Sequence, residues 1–160
     1  MVVCAKTTVP FWPVPMTMQV FGTFLLAGLV GGRLAASMIA LYLLEGASGL
    51  PVFASAAHGG VGFLSLIGPT GGYLLGFVVA AFVSGEWIRR AGLGGRVASV
   101  LPMLAGLLLI YGFGWLWLSQ FVGWAKALTV GVLPFLPGDL LKICLAAAAV
   151  MVLSRVAKRA

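Results

Sequence analysis

The sequence predicts an all-α membrane protein, a compact bundle of short transmembrane helices forming a single domain over residues 1–160, and three observations carry that prediction. Hydrophobic residues make up 62% of the chain and charged residues only 8%, against roughly a quarter charged in an ordinary soluble domain. Residues 34–44, 73–83, 101–118 and 140–153 form runs that are apolar on every side, which a helix tolerates only in lipid or deep inside a protein. The basic residues fall in clusters between such runs, as they do in multi-pass proteins.

A net charge of +7 invites a nucleic-acid reading, but the distribution excludes it. Seven of the ten basic residues are Arg33, the group Arg89, Arg90 and Arg96, and the C-terminal Arg155, Lys158 and Arg159. They lack the interleaved aromatics and the soluble platform of a nucleic-acid surface. The positive-inside rule places all three clusters, and with them the C-terminus, in the cytoplasm.

That placement fixes the path of the chain. Residues 18–31 run inward, 34–48 outward, 73–88 inward, 97–118 outward and 140–153 inward, with a long Gly-rich outer loop over 49–72. Five spans are thereby assigned. The chain is already outside at 11–17, so a helix rising from the cytoplasm should come before it. Residues 1–8 are too few for the roughly 20 a span needs, and a fuller first helix upstream of Met1 is expected. The first residues also lack the basic, apolar and small-residue regions of a cleavable targeting segment. Cys4 and Cys144 read as small buried apolar residues. Gly28 and Gly32, Ala36 and Ala40, Gly72 and Gly76, and Ala81 and Gly85 repeat at four-residue spacing. This spacing lets helices approach closely, either within the bundle or against a partner subunit.

The outward segments hold the candidate chemistry. The first reads Val9-Pro10-Phe11-Trp12-Pro13-Val14-Pro15-Met16-Thr17-Met18-Gln19, whose three prolines preclude a regular helix and predict a stiff, extended, aromatic-bearing lid. Phe11 and Trp12 fit an interfacial anchor as well as a ligand contact, whereas Trp115, Trp117 and Trp124 fit the anchor alone. The second carries Gly49-Leu50-Pro51-Val52-Phe53-Ala54 and Gly68-Pro69-Thr70-Gly71-Gly72-Tyr73. Glycines there let backbone amides approach a bound molecule, but the Gly-Lys-Ser/Thr ending of a phosphate loop is missing. His58 has no second ligand at metal-binding spacing and reads as a solvated loop residue, so no metal and no cofactor is expected. Neither a carboxylate pair nor a nucleophile–base set appears, so an enzyme is not expected.

The third outer segment, Leu133-Pro134-Phe135-Leu136-Pro137-Gly138-Asp139-Leu140-Leu141-Lys142, opens the last span. Asp139 falls near the helix start, where the helix dipole favours its charge and the free amides can be capped. Lys142 stands three residues on, on the same face. A charge at membrane depth costs roughly 2.5–3.5 kcal/mol, so the pair is either a structural staple or the polar floor of a ligand site.

Residues 9–19, 49–54, 68–77 (Gly-Pro-Thr-Gly-Gly-Tyr-Leu-Leu-Gly-Phe) and 133–142 resemble, in order, the characteristic blocks of the BioY family, and the resemblance runs from about Ala5 to the end of the chain. It implies six membrane helices and a biotin pocket open to the outside. Also implied are the role of substrate-specificity subunit in an energy-coupling-factor transporter, and as partners a transmembrane subunit and two cytoplasmic ATPases. The family's first helix, with small residues that dock on the transmembrane partner, is nearly absent from this sequence. For biotin, the resemblance implies that Asp139 accepts from ureido N–H and that Lys142 donates to the ureido oxygen or meets the carboxylate. Thr70, Gln19 and the amides of Gly71 and Gly72 would complete the polar set, and Phe11, Trp12, Phe53 and Tyr73 the apolar walls. A subunit of the same fold for another vitamin, and a membrane protein without a small ligand, are the rival functions.

Overall fold

The computed structural model describes residues 1–9, 13–54, 62–92 and 97–157; Phe11, Trp12, His58, Arg96, Lys158 and Arg159 lie outside them. A short helix α1 (Val2–Lys6) leads into strands β1 (Thr8–Val9) and β2 (Met16–Thr17), paired antiparallel with Thr8 opposite Thr17 and Val9 opposite Met16. Proline has no N–H and a fixed φ, so Pro13 and Pro15 keep the described approach to β2 from winding into a helix. Of the stiff lid expected here, the described residues 13–17 lead into and form the second strand of a small hairpin.

Helices α2 (Gln19–Val30) and α3 (Gly32–Ala47) follow, joined by Gly31 alone. Its φ of +82° is one that side chains resist, and it reverses the chain in a single residue. The long outer loop is not wholly irregular, since it contains α4 (Leu64–Ile67). Helix α5 (Gly71–Arg90) begins inside what composition assigns to that loop. A 3₁₀ turn (Val97–Ser99) precedes α6 (Val100–Val122), then come α7 (Trp124–Gly131) and α8 (Leu136–Ala157).

The result is a compact helical bundle with α5 at its centre, packed against α6, α3 and α2, while α8 lies along α2 and α6. Phe24, Ile39, Met103, Ile110, Leu118, Ile143 and Val150 are fully buried and come from α2, α3, α6 and α8. Leu34, Leu41, Leu44, Leu108, Leu116, Leu141 and Val152 point outward, so the periphery is as apolar as the core, as a lipid-facing bundle requires. Cys144 belongs to this outer surface. It is exposed, contrary to the buried position expected, because the outer face of α8 meets lipid and needs no polarity; Cys4 is half-buried against Gly22.

Among the described residues, α5, α6 and α8 are long and apolar enough to cross a membrane. Helix α2, with 12 residues, is about 18 Å long and α3, with 16, about 24 Å, both short of the roughly 30 Å hydrocarbon core. The N-terminal end of α2 is cut back because Met16 and Thr17 belong to β2 of the hairpin.

The small residues mostly serve the bundle itself. A Cβ on Gly85 would stand 2.5 Å from the backbone nitrogen of Gly32, so α5 and the start of α3 meet backbone to backbone. Gly72 and Gly76 likewise lie against α6, and Gly28 against Val150 of α8. These contacts also order the ends. Arg89 lies beside the Gly31 turn, and Glu86, itself buried, holds Arg89 and Arg90 in ion pairs. The basic residues of α3 and α5 therefore share one end of the bundle.

Candidate ligand-binding site

Toward the opposite end, the first turns of α2 and α5, the middle of α6 and the start of α8 line one open cavity. The hairpin arm contributes Val14, Pro15 and Thr17 to its lining, and the loop after α3 contributes Phe53 and Ala54.

The floor is polar because α8 starts where it does. Pro137 falls in the first turn, where its missing N–H costs nothing, and Asp139 follows with its amide bonded to the Phe135 carbonyl at 2.8 Å. Lys142 then stands over Asp139 and donates to its Oδ1 at 2.7 Å. Both residues are buried, at 4% and 8% exposure, so they are far from the screening that makes surface pairs weak. Tyr111 on α6 donates its hydroxyl proton to Oδ2 of the same carboxylate at 2.8 Å. The expected use of Asp139 as a helix cap is replaced by these two side-chain partners.

Lys142, Asp139 and Tyr111 all face the cavity. With the internal bonds made, Lys142 keeps two N–H donors, the carboxylate keeps lone pairs on both oxygens, and the Tyr111 oxygen acts only as an acceptor. The set is net neutral, and it offers donors and acceptors side by side in a buried setting where each is worth more than in water. Thr17, Gln19 and Thr70 add polar groups around the wall, while Val20, Leu74, Phe77, Ile110 and Phe135 make the rest of it apolar.

Of the residues singled out from sequence, the structure brings Asp139, Lys142, Thr70, Tyr73, Gln19 and Phe53 together around one cavity. Tyr73 contributes its ring, since its hydroxyl is spent on the Gly131 carbonyl at 2.8 Å. Gly71 and Gly72 are a correction. They form the first turn of α5 and do not line the cavity: the Gly71 amide donates to Gly68, and Gly72 is pressed against Trp117 and the Phe113 carbonyl of α6. Phe11 and Trp12 lie outside the described residues. The three tryptophans assigned no ligand role stay clear of the cavity, with Trp117 donating to the Gly68 carbonyl and Trp115 stacked edge-on with Trp124.

Sequence reasoning missed Tyr111. Its signal was present: a tyrosine in the middle of an apolar span must find a partner for its hydroxyl, and an acid in the same bundle is the natural one.

The BioY family model matches residues 1–159. Over 151 residues the chain is 42% identical to "Probable biotin transporter BioY" of Pyrococcus horikoshii, covering 94% of this chain and 85% of that protein. It is also 42% identical, over 148 residues, to "Biotin transporter BioY" of Thermotoga maritima, covering 91% and 84%. A crystal structure of the S-component for biotin from an ECF-type ABC transporter superposes with a TM-score of 0.84 at 24% identity, covering 96% of this chain and 84% of that one. That last likeness is one of fold.

Proposed function

The chain belongs to the BioY family, and from that premise we propose that this multi-pass membrane protein captures biotin at the outer face of the cytoplasmic membrane as the substrate-binding subunit of an energy-coupling-factor transporter. The observation that carries the proposal is the buried Lys142–Asp139–Tyr111 set on the floor of an otherwise apolar cavity, at the end of the bundle away from the arginines. Biotin has a compact ureido group with two N–H donors and one acceptor oxygen, fused to an apolar ring that carries an apolar chain. A floor with adjacent donors and acceptors suits the first, and walls of Phe53, Tyr73, Phe77 and Ile110 suit the second. Thr70 and Gln19 are the further polar contacts. The subunit itself captures; ATP hydrolysis belongs to two cytoplasmic ATPase chains coupled through a transmembrane partner.

Calorimetry on monodisperse, detergent-purified protein tests the reading. One biotin should bind per chain, and biotin at a hundred times its Kd should stabilise the fold by about 2.7 kcal/mol. Riboflavin and thiamine should not compete. A melting temperature that biotin leaves unmoved, or equal competition by another vitamin, overturns it.

The same reading puts the arginine end and the C-terminus in the cytoplasm. In a variant with Cys4→Ala and Cys144→Ala, a single cysteine is placed at either Leu50 or Gly92, both exposed. A membrane-impermeant thiol reagent applied to intact cells should label the Leu50→Cys protein and spare the Gly92→Cys protein. The reverse pattern inverts the topology.

A further inference from the structure

Resting on the biotin reading, we propose that Tyr42, which does not itself line the cavity, is a positioning residue that sets which way round the Gln19 amide meets the ligand.

Four groups form a hydrogen-bonded chain beside the site. The Thr17 hydroxyl donates to Gln19 Oε1 at 3.2 Å, Gln19 Nε2 donates to the Tyr42 oxygen at 3.2 Å, and the Tyr42 hydroxyl donates to the Val52 carbonyl at 3.4 Å. The Gln19 backbone amide returns to Thr17 Oγ1 at 3.2 Å. The sense of the chain follows from its last member. A carbonyl can only accept, so the one tyrosine proton goes to Val52 and the tyrosine oxygen is left as an acceptor toward Gln19. The amide must therefore turn its NH₂ to Tyr42 and its oxygen to Thr17. Reversing it would take the tyrosine proton away from Val52. Gln19 and Tyr42 are each only 3% exposed, so water is poorly placed to repair the loss.

Gln19 consequently shows the cavity one remaining N–H and one remaining lone pair in fixed places. Tyr42 also supports one wall of the site, because its ring meets Phe53 edge-on at 5.4 Å and Phe53 sits against Gly46. Phe53 is a cavity wall, so Tyr42 touches two residues, Gln19 and Phe53, that line the cavity.

The test is a double-mutant cycle on biotin affinity, measured per folded molecule by calorimetry. Tyr42→Phe keeps the ring and its contact with Phe53 but removes the hydroxyl, and biotin should bind about tenfold more weakly, the change that losing one net hydrogen bond produces. In a Gln19→Leu background the same substitution should cost less than twofold more, because the group it positions is gone. Thr17→Val cuts the other end of the chain and should show the same dependence on Gln19; it decides the matter if Tyr42→Phe yields no folded protein. A full tenfold loss in both backgrounds, or unchanged affinity in Tyr42→Phe, overturns the positioning role while leaving biotin capture standing. Wild-type protein that does not bind biotin overturns both.

Discussion

Lys142→Met should weaken biotin binding at least a hundredfold while leaving a folded bundle. Methionine keeps the length and the apolar stem, but it strands the Asp139 carboxylate at 4% exposure with Tyr111 as its remaining donor. Removing one partner of a buried ion pair costs about 3–5 kcal/mol, much of it the price of the orphaned charge. Asp139→Asn keeps the shape and replaces one acceptor oxygen with a donor, so a milder loss of about ten- to a hundredfold is expected. If the pair were only a staple between residues of α8, both variants would melt earlier while their surviving folded fraction bound biotin normally. Affinity per folded molecule is therefore the measurement, and wild-type affinity in both variants would remove these residues from the site.

Gly32→Ala should produce the largest loss of stability of any single methyl added to this bundle's arginine end. The new Cβ would stand 2.2 Å from the Phe82 carbonyl oxygen and 2.6 Å from the Glu86 nitrogen, both of them backbone atoms of α5. A side chain could turn away, but a helix backbone must move as a body. Overpacking usually costs about 1–3 kcal/mol, and this contact falls at or above the top of that range. Gly112→Ala is the control, since nothing lies within 4 Å of its added carbon, and replacing a mid-helix glycine in open space should stabilise by about 0.5–1 kcal/mol. Thermal unfolding in one detergent gives both results. Because Gly32 lies at the far end from the cavity, the folded fraction of Gly32→Ala should keep its biotin affinity. A melting temperature equal to that of wild type would mean that α3 and α5 are not in backbone contact.

These residues also show what could be read without the structure. The bundle was legible because hydropathy needs no knowledge of neighbours, and Asp139 and Lys142 were legible because charges are rare in such a chain and have few possible uses. Helix ends were less so. Gly71 and Gly72 look like a turn, and whether a Gly-Gly pair bends or begins a helix depends on what packs against it, here α6. Helix α7 escaped notice because its eight residues mix Lys126 and Thr129 with apolar neighbours and show no membrane-length run. Tyr111 and Tyr42 were hidden for a different reason. Their partners, Asp139 and Gln19, are 28 and 23 positions away, and no local pattern announces a hydrogen bond across that distance.

The spacing of the polar floor has a further consequence for how the protein is made. Asp139 and Lys142 are three residues apart on one helix, so they can neutralise one another as soon as that helix winds, before α6 or any other element has been met. A nascent α8 thus presents the membrane with a neutral pair in place of two separate charges, whose cost near the start of the helix is lower than the roughly 2.5–3.5 kcal/mol that each would carry at its centre. Had the acid and the base been supplied by different helices, each would have had to enter lipid alone and find its partner afterwards. The chain can therefore bring both polar side chains of the cavity floor into the bilayer within a single self-compensating segment, and assembly has only to deliver Tyr111 to them.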